Sequence, residues 1–314
     1  LLNGLFVDRR GALALRDVYA RFTGHADRFS DVQYESKQTI LNVSMSSELH
    51  MLSRHLDRIS EQHRYSRDFT RSSLRRALRE VIASFPVYRT YVAHCEVSAD
   101  DVRYVEWAVG VAKKRSQAAD TSIFDFVREV LLTRDEQRRD DGYRQAVCAF
   151  AMKFQQYSSP VMAKAVEDTT FYQYNRLLAL NEVGADPQRF GVSLAAFHQE
   201  NLQRARRWPH AMLASSTHDS KRSEDVRARL CTLSEMPEVW RCALFRWTKL
   251  NRSKRRKLGD ERAPSRNDEY LLYQSLLGIW PFETPDAEGL VQLADRLEAY
   301  MTKAVREAKV HSSW

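Results

Sequence analysis

Glycine and proline are scarce, at 10 and 8 of 314 residues. Glycine permits left-handed backbone and proline interrupts hydrogen-bond ladders, so their shortage argues for long helices and few tight turns. Long hydrophobic runs are missing as well. None reaches the roughly 20 apolar residues that a bilayer-spanning helix needs, and no secretory signal pattern is visible, so no membrane partner is expected. Cysteine is limited to Cys95, Cys148, Cys231 and Cys242, with no CxxC pair, which speaks against structural zinc. Their scatter suits reduced thiols in a cytoplasmic protein. The nine histidines are dispersed and form no HExxH, so neither metal nor cofactor is expected. No repeat with a period of 20–50 residues shows.

Hydrophobic residues make up 43% of the chain, enough for a substantial core in one large domain or two ordinary ones. The net charge is +8, from 49 basic and 41 acidic residues mixed along the chain. A nucleic-acid binder would concentrate that excess in one stripe. The one dense cluster is Lys254-Arg255-Arg256-Lys257, with Arg246, Lys249, Arg252, Arg262 and Arg266 around it. It reads as a solvated loop between helices, with nucleic-acid binding as the minority alternative. The first residue is leucine, and Leu1-Leu2-Asn3-Gly4-Leu5-Phe6-Val7-Asp8 reads like the interior of a fold; a piece of a longer protein is expected.

Periodicity predicts helices over residues 10–22 and 31–43. Met45, Leu49, Leu52, Leu56 and Ile59 recur every three or four positions and mark one face of the next helix. Thr70 is placed as the N-cap of a helix with the face Leu74, Leu78, Val81 and Ile82, ended by Pro86. Ser98-Ala99-Asp100-Asp101 resembles a capping box opening a helix to about 115. Further helices are predicted over 122–133, 135–157, 170–182, 193–206, 223–233, 237–250 and 267–278. A last helix starts at Thr284-Pro285, with Thr284 as N-cap. Three short apolar runs read as strands: residues 87–92, 160–165 and 211–214. Strands separated by helices point to an α/β fold, a parallel sheet or part of a barrel. Three segments are expected: 1–92, a barrel segment with a helical insertion; 93–157, a helical insertion; and 158–314, a barrel segment with C-terminal helices.

The most informative stretch is Ser215-Ser216-Thr217-His218-Asp219-Ser220-Lys221-Arg222-Ser223-Glu224-Asp225. An imidazole and a carboxylate stand side by side where a strand would end and a helix begin, the place where β/α barrels mount catalytic groups. Lys221 and Arg222 would help keep Asp219 ionised. The competing reading is a charged strand-to-helix turn with Asp219 or Ser220 as an N-cap. A second polar and aromatic cluster, with Lys164, Glu167, Asp168 and Tyr172, follows the run 160–165, and Arg89 and Tyr91 lie on the run 87–92. A sugar site needs planar polar groups for hydroxyls and an aromatic face for a ring; an internal salt-bridge network is the alternative. Asn181 and Glu182 read as a cap and a support, and Trp208, Trp240, Trp247 and Trp280 as core residues.

These segments carry a resemblance. Leu2 to Asp8, Phe85-Pro86-Val87-Tyr88-Arg89-Thr90-Tyr91, Pro160-Val161-Met162-Ala163-Lys164-Ala165-Val166-Glu167-Asp168-Thr169-Thr170-Phe171-Tyr172, Leu180-Asn181-Glu182-Val183-Gly184, the His218-Asp219 stretch and Leu271-Leu272-Tyr273-Gln274-Ser275-Leu276-Leu277-Gly278 run in the same order in the maltooligosyltrehalose synthases of the α-amylase superfamily. Lys303-Ala304-Val305-Arg306-Glu307-Ala308-Lys309 resembles them too. Departures are small: Ala165 for the usual glycine, Ser220 for threonine, and Gly184-Ala185 for two glycines.

The resemblance implies the helix-rich second half of a (β/α)8 barrel with helical insertions. It implies action on a linear α-1,4-glucan, a maltooligosaccharide, whose reducing-end linkage is rearranged to α,α-1,1 by a retaining intramolecular transfer, with maltooligosyltrehalose trehalohydrolase as the pathway partner. Asp219 matches the carboxylate that stabilises the transition state. His218, Lys164, Glu167, Arg89, Tyr172, Lys221 and Arg222 are the candidate substrate-binding residues. The nucleophile and general acid of such chemistry have no match in this chain, so the chain by itself is expected to lack turnover. A hydrolase or transglycosylase of the same superfamily is the alternative enzyme. An Asp219 facing bulk solvent, or lying far from any strand end, would bring down the sugar assignment.

Overall fold

The computed structural model describes residues 1–62, 64–116, 121–134 and 141–314. The longer helices, in chain order, are α1 (Ala12–Thr23), α2 (Phe29–Asn42), α3 (Ser46–Glu61), α4 (Arg71–Ala83), α5 (Ala99–Arg115), α6 (Ser122–Leu131), α7 (Asp141–Met162), α8 (Leu194–Arg207), α9 (Glu224–Cys231), α10 (Pro237–Asn251), α11 (Arg266–Ile279) and α12 (Ala287–Ala308). Among the described residues the only strands are β1 (Arg256–Leu258) and β2 (Glu261–Ala263), an antiparallel hairpin. The chain divides into two compact units, residues 30–166 and residues 1–29 with 167–314. The boundary expected at 92/93 falls inside the first of these. No helix among the described residues is long and apolar enough to cross a membrane.

The unit of residues 30–166 is a helical body with one apolar core. In α3, Leu49, Leu52, Leu56 and Ile59 are buried, as their spacing predicts, and they pack against Leu74, Leu78, Val81 and Ile82 of α4. Thr70 caps α4 by accepting from the Ser73 amide, at 3.2 Å. Ser98 and Asp101 form the complete capping box of α5, each side chain accepting the other's amide at 3.1 Å. The helix predicted from residue 135 is α7; its first six positions, 135–140, lie outside the described residues.

Two of the expected strands in this unit are absent. Residues 160–165 continue α7 and enter a π-helical stretch, Ala163–Thr170. Phe150, Phe154, Tyr157 and Val161 are buried at helical spacing, and this period outweighs the strand preference of one β-branched residue. Ala165 stands there without positive φ, so the loss of the glycine costs no backbone strain. Residues 87–92 are a connecting segment. Its main chain is satisfied by side chains instead of a ladder: Gln155 accepts from Val92 N at 2.6 Å and donates to Val92 O at 3.0 Å, and Ser158 donates to Tyr88 O at 2.9 Å. Asp101 accepts from Tyr91 N at 2.9 Å.

The expectation of four reduced cysteines is also corrected. Cys95 and Cys148, 53 residues apart in sequence, are joined as a disulfide with Cα atoms 5.4 Å apart, while Cys231 and Cys242 are free. Sequence distance hid their proximity, because α7 returns past the segment that precedes α5. Lys37 of α2 is buried, with its ammonium donating to Phe85 O at 2.7 Å. Burial pushes its pKa from the usual 10.5 down to about 7.

In the other unit, α11 is the central helix, in contact with α1, α9 and α12. Tyr270, fully buried on α11, meets Tyr19 and Trp240 edge-on, and Trp240 Nε1 donates to its hydroxyl at 3.0 Å. Trp240 is thus core, as read, whereas Trp208 and Trp280 are exposed. The predicted helix over 170–182 is instead two short turns, Phe171–Gln173 and Leu178–Leu180. Gln274 explains why the segment does not coil: it accepts from Leu178 N at 3.0 Å and donates to Asn175 O at 2.7 Å, taking up groups a helix would pair internally. The last helix starts two residues later than predicted, capped by Asp286, which accepts from Gly289 N at 2.8 Å, and not by Thr284. The basic cluster forms the hairpin β1–β2, turning at Gly259 with φ +61°.

Candidate functional site

Residues 211–214, the third expected strand, have no regular structure and are exposed. Four apolar residues without a neighbouring strand have nothing to pair with. The chain then closes a small turn. Thr217 N donates to Ser220 Oγ at 2.8 Å, Ser220 N to Thr217 O at 3.1 Å, and Asp219 N to Thr217 Oγ1 at 3.3 Å. On this turn His218 Nε2 lies 3.4 Å from Asp219 Oδ2, with side chains 91% and 73% exposed. Among the described residues no strand end adjoins them and both side chains face solvent, so the geometry of this chain does not by itself support the sugar assignment. Asp219 does not cap a helix: the residue before α9 is Ser223.

The end of the turn is anchored in buried polar groups. Glu182, 7% exposed, accepts from Lys221 N at 2.7 Å and Val183 N at 2.9 Å through Oε1, and from Arg222 N at 3.3 Å through Oε2. Arg227, on the first turn of α9, places Nη1 3.7 Å from Glu182 Oε2 and donates through Nη2 to Ser215 O. Asn181, buried beside it, donates to Phe171 O at 3.0 Å and Tyr174 O at 2.7 Å. The support role read for Asn181 and Glu182 is what the contacts describe. No sequence signal marks Arg227: a buried arginine one turn after an acidic helix start has no signature distinct from an exposed one.

The candidate binding residues distribute as follows. Lys221 turns inward and donates to Asp168 at 2.9 Å. Arg222 donates to Leu178 O and Asn181 O at 3.4 and 3.3 Å and to Tyr300 Oη at 2.9 Å. Glu167 accepts from Gly184 N at 3.3 Å, where Gly184 has φ +70°. Tyr172 is buried, and burial raises its hydroxyl pKa above the ordinary range. These four, with Asp219 and His218, belong to one unit. Lys164, exposed on the π-helical stretch, and Arg89 lie in the unit of residues 30–166. Arg89 donates to Thr90 O at 3.0 Å and sets its guanidinium 4.7 Å from the exposed Tyr91 ring.

A cleft of about 1090 Å³ runs beside the anchored segment, lined in part by Asn3, Glu182, Arg189, Phe190, Arg204 and Ser215. Its lining mixes aliphatic residues and two phenylalanines, Phe190 and Phe197, with charged and polar side chains. No group of three or more histidine, cysteine or acidic side chains among the described residues could hold a metal ion.

No family model matches the chain. A curated protein of Mycobacterium tuberculosis strain H37Rv named as a maltooligosyl trehalose synthase is 43% identical over 168 residues, which cover 52% of this chain and 20% of that protein. The solved maltooligosyltrehalose synthase from Arthrobacter ramosus superposes with a TM-score of 0.77 at 31% identity, over 99% of this chain and 35% of that one. A hypothetical maltooligosyl trehalose synthase of Sulfolobus tokodaii gives a TM-score of 0.70 at 27% identity, over 99% and 35%. The chain therefore spans about a third of the length of these solved structures, and the match to the curated relative a fifth of that protein. In sequence and in fold the chain is similar to a segment of the maltooligosyltrehalose synthases.

Proposed function

We propose that the chain is part of an enzyme that converts the reducing-end α-1,4 linkage of a maltooligosaccharide to α,α-1,1, leaving a trehalosyl end. The observation that carries this is the likeness over 99% of the chain to an enzyme named for that product, with the His218-Asp219 turn as its most chemically pointed residues. In this reading Asp219 grips hydroxyls of the sugar ring as it flattens. Charged hydrogen bonds are stronger than neutral ones, and those that tighten in the transition state lower the barrier selectively. The chemistry is retaining, with the nucleophile and general acid supplied from elsewhere in the longer protein. The released glucose turns and is recaptured through its anomeric hydroxyl before water can intervene, which requires a closed pocket. The high exposure of Asp219 here fits a face that other segments of the longer protein cover.

The same reading assigns the helical unit of residues 30–166, which contains the expected insertion 93–157, as the insertion into a (β/α)8 barrel. Residues 211–214 then become a barrel strand once neighbouring strands are present to pair with them. Lys164, Glu167, Arg89, Tyr172, Lys221 and Arg222 are assigned to the substrate side of that barrel, through direct contact or by holding the segments that touch the glucan. A glucan with a trehalosyl end is the substrate a trehalohydrolase needs, which makes such a hydrolase the partner in sequence. The test is product analysis: the intact protein incubated with maltohexaose should yield non-reducing chains with an α,α-1,1 terminus. Free glucose and shortened maltooligosaccharides alone would instead assign it as a hydrolase.

A further inference from the structure

The turn that bears Asp219 is held at both ends by one buried ion pair. At its entrance the carbonyl of Ser215 accepts from Arg227. At its exit the amides of Lys221 and Arg222 donate to the two oxygens of Glu182, at 2.7 and 3.3 Å. Arg227 and Glu182 in turn face each other at 3.7 Å, with side chains only 8% and 9% exposed. Between the two anchors, residues 216–219 make only the turn's internal hydrogen bonds among those described, and their side chains are exposed.

We propose that Glu182 and Arg227 form a clamp that sets the position of Asp219 for turnover, acting as positioning residues that need not touch substrate. The inference rests on the role proposed above for Asp219. Asp219 has no contact of its own with buried structure, so its carboxylate is placed only through the main chain at 215 and 221–222. A carboxylate accepting main-chain amides is a rigid anchor, because both oxygens are committed and the charge strengthens each bond. A buried guanidinium on the opposite side removes the cost that an unpaired carboxylate would carry there. Misplacing a catalytic group by about 1 Å can cost roughly 10²-fold in rate, so the clamp has leverage without contact. The further anchors, Ser215 Oγ to Glu224, Lys221 to Asp168, and Arg222 to Leu178 O, Asn181 O and Tyr300, act through the turn's side chains and leave its main chain to the clamp.

The experiment uses the intact protein with maltohexaose and three variants: Glu182→Gln, Glu182→Gln with Arg227→Met, and Asp219→Asn. Glu182→Gln keeps one acceptor oxygen, so it can serve the amides of Lys221 and Val183 or the amide of Arg222 but not both sides. The double variant replaces a buried ion pair by neutral groups and should restore a melting temperature close to the parent's. The clamp predicts that both lower kcat by roughly 10- to 100-fold with KM changed far less, and that the amides of Lys221 and Arg222 exchange hydrogen faster in both. If the double variant melts like the parent and also turns over like it, the pair is merely structural and the clamp is overturned. Parental turnover of both clamp variants beside an inactive Asp219→Asn overturns the clamp alone. Parental turnover of Asp219→Asn overturns the underlying role of Asp219, and the clamp with it.

Discussion

Along α3 and α4 an apolar side chain disappears into the core at almost every third or fourth position, while from residue 208 to 219 every side chain is exposed. The first region is dictated locally: an amphipathic face buries itself against the next one, and most helical stability comes from that burial. The second carries residues of comparable hydrophobicity, Met212 and Leu213, yet they stay in solvent, Met212 at 100%. Its shape comes from the turn's own hydrogen bonds and the two anchors at 215 and 221–222. A region held by packing tolerates few core changes and does no chemistry; a region held at two points can present a reactive group and depends on its anchors.

The largest effect should come from the packed region. Leu52→Ala removes a fully buried side chain between α3 and α4 and should cost about 2–5 kcal/mol, read as a shifted urea midpoint. A loss under ~1 kcal/mol would mean that the core is looser than its burial implies. Thr70→Ala removes the N-cap of α4 and should cost about 1 kcal/mol, measured in the same way.

Lys37 gives a test by pH. Its folded pKa, about 7, lies below the usual 10.5, so between these values the unfolded chain binds the extra proton and stability rises with pH. Lys37→Met should therefore be more stable than the parent near pH 7, and the gap should narrow towards pH 10. A gap that stays constant across that range would show that the ammonium is solvated.

The sequence was legible where one period ran unopposed. The faces of α3 and α4, the Thr70 cap and the Ser98–Asp101 capping box stand where their residues place them. It misled at short apolar runs. Residues 160–165 look like a short apolar strand in isolation but prolong the buried row Phe150, Phe154, Tyr157 and Val161. Residues 87–92 have their amides and carbonyls taken by Gln155, Ser158 and Asp101, partners on other helices that no local pattern announces. The segment 170–182 is uncoiled by Gln274 in the same way. The pairing of Cys95 with Cys148 depends on the path of α7, and the Glu182–Arg227 pair joins residues 45 positions apart; both are facts of three-dimensional return. The His218-Asp219 motif was visible from its chemistry and the family resemblance, but its exposure was not.

The proposed chemistry turns on one carboxylate. In the intact protein acting on maltohexaose, Asp219→Asn should lower turnover by roughly 10²-fold or more, on the scale of losing an electrostatic stabiliser. Within this chain the Asp219 side chain is 73% exposed, so the same substitution should leave the melting temperature of the chain by itself unchanged. Turnover close to that of the parent would contradict the role assigned to Asp219.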